Sequence, residues 1–269
     1  MKSFVCLLSF LLASTLAVTQ SVTIQESSPN NQKLTPEQQA AVVRLSNLQR
    51  NLGKSSMNSP GVELTLKEVG RSRTSDRTLV KYELYTTGMP RTLTYTMFEV
   101  KISGQIVKNL TGVTLDTEGR AICAGRKGTC SGSSPNSPID LVFFAGKSEP
   151  KRLSLVSDDG QIKGFAAMIP FPNAATDQGC KIESVIGTPK GELTYIQGSG
   201  FEPNEELTTD SESYGEKNHG VQRAEADGSF FATTMPNILG KASGSTVFKV
   251  KGKKCAPVLT FTWGTYQLE

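Results

Sequence analysis

Histidine and tryptophan each occur once in 269 residues, and no two cysteines stand in a Cys-x-x-Cys pair. A lone His219 cannot build a histidine-rich metal centre, and the missing pairs remove zinc-ribbon and thioredoxin-like readings. No Gly-x-Ser-x-Gly occurs, so the nucleophile elbow of the α/β-hydrolases is absent. Beyond the N-terminal segment no run of 18 apolar residues exists, so no membrane span is expected once that segment is removed. Net charge is small too. The net value is +4, with 15 Lys/Arg against 11 Asp/Glu over 61–175 and 9 against 12 over 176–269. Neither part carries a basic stripe interleaved with aromatics, so nucleic acid is not an expected partner.

What is present is turn chemistry: 25 Gly and 13 Pro in a chain that is 37% hydrophobic. Such a composition points to many short strands. At the N-terminus, Lys2, the apolar Val5–Leu12 and the small residues Ala13–Ala17 form a secretory signal peptide over 1–17. The expected location is therefore secreted or periplasmic. Cys6 falls inside that segment and leaves Cys123, Cys130, Cys180 and Cys255, an even set that implies disulfides with three possible connectivities. The preferred pairing is Cys123 with Cys130, across a loop containing two glycines, and Cys180 with Cys255, bracketing the last third of the chain.

In order, residues 18–34 are a polar leader. Over 35–53 an amphipathic helix is written by Thr35 as N-cap, Pro36 at the first helical position and the stripe Ala41, Leu45, Leu48 and Leu52. Strands follow with period two over Val62–Val69, Leu79–Thr86 and Leu93–Ile102. Further strands are expected near 112–115, 120–123, 139–145, 151–157 and 161–169, giving a first β domain over 62–169. Residues 170–179 read as a linker. A second domain over 180–264 then holds seven short strands, the spacing of an immunoglobulin-type sandwich. Its last strand alternates Leu259, Phe261 and Trp263 with Thr260 and Thr262, placing the one tryptophan in the core. The fold class is mainly β: two tandem Ig-like sandwiches behind one N-terminal helix.

The second domain is organised by the turn Gly198-Ser199-Gly200-Phe201-Glu202-Pro203-Asn204-Glu205 and, about 20 residues on, by Ala226-Asp227-Gly228-Ser229-Phe230. Looser counterparts, Tyr85-x-x-Gly88-Met89-Pro90 and Asp116-Thr117-Glu118-Gly119, stand in the first. These motifs resemble bacterial immunoglobulin-like domains of the IPT/TIG kind, well over 180–264 and faintly before it. The chain as a whole looks like exported bacterial proteins of unassigned function. The resemblance implies an extracytoplasmic module; Gly198, Gly200, Phe201, Pro203, Asp227 and Gly228 enter as turn and core residues, not as a functional site.

Candidates for chemistry are few. His219 sits in a polar strand connection. Ser148-Glu149-Pro150-Lys151 has the Ser-x-x-Lys spacing of some acyl-transferring hydrolases, yet Pro150 makes it a turn rather than a helix start. Asp158 and Asp159 precede Gly160 and read as a hairpin turn. Gly198-x-Gly200 lacks the third glycine of a nucleotide fingerprint. Tyr214 and Tyr266 are the aromatics left for a sugar platform. Asn109-Leu110-Thr111 is a glycosylation sequon of consequence only in a eukaryotic secretory pathway. The expectation is a non-catalytic binding or structural module with no cofactor and no metal, its partner an unidentified protein or glycan at the cell envelope. The alternatives are a glycan-binding adhesin and, behind it, a hydrolase.

Overall fold

The computed structural model describes residues 35–37, 39, 40, 42, 43, 46, 57–73, 77–124 and 136–264. The signal peptide, the leader, Cys130 and Tyr266 lie outside the described residues. Within them the protein is mainly β, built of four antiparallel sheets.

Two sheets share the first core. One is β1 (Glu63–Arg73), β2 (Arg77–Thr87) and β6 (Leu141–Gly146), in the order β1-β2-β6. Against it lie β3 (Tyr95–Val100), β4 (Ile106–Leu115), β5 (Ala121–Cys123), β7 (Lys151–Ser157) and β8 (Lys163–Met168), in the order β5-β4-β3-β7-β8. Alternation decides which side chains meet. Val80, Tyr82 and Leu84 on β2 turn inward and pack with Tyr95, Met97, Val113, Leu153 and Leu155.

The second pair of sheets repeats the plan. β9 (Asn173–Asp177), β10 (Cys180–Ile186), β11 (Thr194–Ser199) and β14 (Phe230–Thr234) run in the order β14-β11-β10-β9. β12 (Glu206–Ser213), β13 (Glu216–Arg223), β15 (Gly244–Lys251) and β16 (Val258–Trp263) run in the order β13-β12-β15-β16. Ile182, Ile196, Leu207, Phe248, Val250, Leu259 and Phe261 fill the space between them. Trp263 is buried as expected, its indole N–H donating to Ser213 Oγ at 3.2 Å.

The connector needs correction. Residues 170–179, expected as a linker, contain a strand: Asn173–Asp177 form β9, paired antiparallel with β10 from Ser184↔Asn173 to Cys180↔Asp177. Its small and polar side chains give no apolar alternation, because the strand is held by backbone pairing. The signal that could have shown it is Gln178-Gly179, both with positive φ (45° and 88°), as a two-residue hairpin loop demands. The second region thus has eight strands rather than seven.

Of the segment expected as a helix, the described positions 36, 37, 39, 40, 42, 43 and 46 have helical backbone, and Gln39 N–H donates to Thr35 O at 2.9 Å. Val42 packs with Val185, Leu193 and Tyr195 of the second region.

Candidate functional surface

The turn that dominates the second region is a structural clamp. Gly200 has φ +83°, and a Cβ there would sit 2.3 Å from the carbonyl oxygen of Gly179. A Cβ on Gly198 would collide with the Phe230 ring, which meets Phe201 edge-on at 5.5 Å. Pro203 and Asn204 form the corner, with Asn204 at φ 59° and Glu205 N–H donating to Glu202 O at 3.2 Å. Across from it, Gly228 (φ +74°) lets Phe201 N–H donate to its carbonyl at 3.1 Å, while Asp227 Oδ1 accepts from Ser229 N–H at 2.9 Å.

Sequence reasoning named Glu205 as a motif residue without assigning it work. Its carboxylate is buried and accepts from Glu202 N–H and Lys253 N–H, each at 2.8 Å, tying the β11–β12 turn to the β15–β16 loop. The same loop is fixed covalently, since Cys180 and Cys255 form a disulfide with Cα atoms 6.2 Å apart. Cys123 is buried on β5; its expected partner Cys130 lies outside the described residues.

The Ser-x-x-Lys spacing does not assemble a dyad. Ser148 Oγ lies 2.7 Å from Ser184 Oγ, and Lys151 Nζ is hydrogen-bonded to Glu149 instead. The other Glu149 oxygen accepts from Gly146 N–H at 2.8 Å. Asp158 accepts from the hydroxyls of Thr94 and Thr96, and Asp159 from Ser157 and the Gln161 amide, so both serve the β7–β8 turn. The Ser157 hydroxyl, first, and the Gln161 amide hold the Asp159 carboxyl below its usual range. Tyr214 is 57% exposed, but Lys241 Nζ lies 5.0 Å from its ring centroid, Trp263 meets it at 6.2 Å, and its hydroxyl donates to Ser243 O at 2.8 Å. These contacts hold the ring beside Trp263 at the turn between Ser213 and Glu216. No cluster of three or more His, Cys, Asp or Glu able to hold a metal occurs among the described residues.

His219, expected in a polar strand connection, lies instead within β13, on the outward face of the β13-β12-β15-β16 sheet, because Glu216–Arg223 pairs continuously with β12. The register sets out its rungs: His219, Asp210, Lys249 and Val258 on one; Lys217, Glu212, Val247 and Thr260 on the next; Val221, Thr208 and Lys251 on a third. His219 Nδ1 is 2.8 Å from Asp210 Oδ1, and Lys217 Nζ is 3.7 Å from Glu212. The carboxylates thus line the second strand, with cations on either side and exposed Val221, Val247 and Val258 around them. The first two rungs border a shallow depression of about 410 Å³. Thr209 and Ser211, the hydroxyls flanking Asp210, are both buried on the opposite face, so the pair His219–Asp210 gains no nucleophile from them. This face is open and carries charge of both signs beside exposed valines.

Neither a family model nor a curated protein matches the chain. Among solved structures, it is similar to a tetra-tandem repeat in the extending region of a large adhesion protein, with 12% identity, a TM-score of 0.24, and coverage of 75% of this chain and 49% of that one. It is also similar to a red sea bream transglutaminase, with 11% identity, a TM-score of 0.22, and coverage of 77% and 32%. The chain thus spans about half the length of the first of these and about a third of the second.

Proposed function

We propose that the chain is an exported, non-catalytic module of two tandem Ig-like sandwiches that binds a protein at the cell envelope or outside the cell. The observation that carries this reading is the outward face of β12, β13, β15 and β16. There Asp210, Glu212, Lys217, His219 and Lys249 present alternating charge around exposed valines on a rigid sheet. Complementary charge on a partner would set register and orientation, while the valines supply apolar contact. Export agrees with the Cys180–Cys255 disulfide, since such bonds persist in oxidising compartments. No helix among the described residues is long and apolar enough to cross a membrane.

The test is retention of envelope components on the immobilised full chain and on its double charge reversal Asp210→Lys with Lys249→Glu. A species held by the first and released by the second supports the reading. Equal retention by both removes this face from the function. Retention abolished by free sugars would instead favour the glycan-binding alternative.

A further inference from the structure

The joint between the two regions is more than the chain that connects them. Ser148, directly after β6 and its turn, is buried with φ 67°, a conformation uncommon for a residue with a side chain. Each of its polar groups is spent on the joint. Its N–H donates to Phe171 O at 2.8 Å, its carbonyl accepts from Ile186 N–H at 3.0 Å, and its hydroxyl meets that of Ser184. Ile102 packs on Ile186 beside it. The connector is gripped from β1, where Arg71 Nη1 donates to Pro170 O at 2.7 Å and the Arg73 guanidinium lies 4.4 Å from the Phe171 ring centroid.

A second layer lies on the outward face of β10, β11 and β14. Register places Val185, Tyr195 and Thr233 side by side there, and all three are at most 2% exposed. An outward row so dry must be covered. Val42 and Ile169 pack against it, and Ser46, itself fully buried, places its hydroxyl 3.1 Å from that of Thr233. Arg152 of β7 is buried and interacts electrostatically with Tyr195. Burial brings the Arg152 guanidinium down to about 10 and pushes the Tyr195 phenol up to about 12. One tyrosine therefore sits where strand β7 of the first region, the sheet of the second and the N-terminal segment converge.

We propose that the N-terminal segment bearing Val42 and Ser46 is a clasp: with those two residues seated on the outward face of β10, β11 and β14, it completes this joint and holds the two regions at one mutual angle. Paired domains otherwise move relative to each other unless the surface between them is large and apolar. Here the area is shared among the connector, Ser148 and the docked segment. The buried hydroxyl pair at Ser46 and Thr233 adds directional contacts that fix where the segment sits.

The clasp is tested in the full chain by ejecting it, with Val42→Asp and Ser46→Lys together, while Ser46→Ala serves as the mild control. Spin labels on non-cysteine handles at the exposed Lys108 and Lys217 report the spread of distances between the regions. Ejection is expected to widen that distribution about twofold and to speed amide exchange at Tyr195 and Thr233 about tenfold, with both regions keeping their cooperative thermal transitions. Ser46→Ala should leave the distribution narrow. An unchanged width in the double variant overturns the proposal, whatever the exchange rates do. Loss of the second region's transition overturns it too, because the segment would then be core rather than clasp.

Discussion

The two regions solve the same closing problem with different chemistry. In each, a glycine with positive φ presses on the carbonyl of another across the first hairpin of the pair: Gly88 on Gly61, and Gly200 on Gly179. In each, a turn glycine sits against a carbonyl across from it, Gly119 on Thr86 at the end of β2 and Gly228 on Phe201. Strand order β4-β3-β7-β8 matches β13-β12-β15-β16. Where β14 runs as one strand beside β11, the first region uses two pieces: β6 pairs with β2, and β5 reaches it through the bridge Tyr85↔Arg120. The chain next to the first glycine is then anchored differently. Asn58 Oδ1 accepts from Phe165 N–H and Val62 packs into the core, whereas Asp177 Oδ2 accepts from Ala256 N–H and Cys180 is crosslinked to Cys255. A joint that apolar packing can hold in one place is made covalent in the other. Beside the covalent joint lies the buried carboxylate of Glu205, which the disulfide-bearing loop must stay close to satisfy.

The largest expected effect breaks this comparison if it fails. Cys255→Ser opens a loop of sequence separation 75. The chain-entropy account assigns such a closure about 4–5 kcal/mol before any strain is counted. The thermal transition of the second region should fall while that of the first keeps its midpoint, as read by calorimetry of the oxidised protein. Equal loss in both would mean that the regions unfold as one unit.

Next comes Glu205→Ala. It strands the N–H groups of Glu202 and Lys253 in a buried loop, and charge-assisted bonds of this kind cost about 2–4 kcal/mol to remove. Combined with Cys255→Ser, the two losses should be less than additive, because both hold the same loop. A strictly additive double variant, measured by urea unfolding, would show that carboxylate and disulfide act separately.

Much of this was legible in the sequence where one face of a strand is buried. Val80, Tyr82 and Leu84 alternate with polar neighbours, and so do Leu259, Phe261 and Trp263; all six are core. Legibility fails where burial is two-sided. Val185-Ile186, Tyr195-Ile196 and Phe230-Phe231 are doubled apolar positions, which alternation treats as noise. They are strands covered on both faces, and the doubling marks the joint with the N-terminal segment. β9 escaped because backbone pairing leaves no side-chain pattern. The clamp role of Glu205 escaped because a carboxylate after a Pro-Asn corner looks like a solvated turn residue. The rungs around His219 were out of reach without register, which alone brings Asp210 and Lys249 alongside it.

A matched pair of substitutions sharpens the likeness rather than the difference. A Cβ on Gly119 would lie 2.4 Å from Thr86 O, and one on Gly228 would lie 2.2 Å from Phe201 O, both at positive φ. Backbone cannot yield as a side chain does, so Gly119→Ala and Gly228→Ala should each cost about 1–3 kcal/mol. Chemical denaturation should find the two penalties similar. A neutral substitution at either site would show that the turn relaxes there and that the likeness is only one of outline.

The smallest effect is electrostatic and depends on pH. Glu202 is held below the usual carboxylate range by hydrogen bonds from Lys254, first, and Lys253; Glu68 in the first region is lowered by its bond to Arg71. A carboxyl lowered on folding adds stability that is complete above its unfolded pKa and is lost as pH falls through the folded value. The two pairs differ in what they connect. Glu68 and Arg71 stand three residues apart on β1, so losing their bond separates no distant segments. Glu202 joins the β11–β12 turn to Lys253 and Lys254 beside Cys255, across the same gap that Glu205 and the disulfide bridge. Both carboxyls are solvent-exposed, so salt screens them and their effects stay small. The Tm difference between the parent chain and Glu202→Gln should be positive near pH 7, shrink as pH drops below about 4, and shrink likewise in high salt. Glu68→Gln should show a smaller difference at pH 7. A Glu202→Gln difference that persists at pH 2 would assign the effect to the shape of the turn rather than to the ion pairs with Lys253 and Lys254.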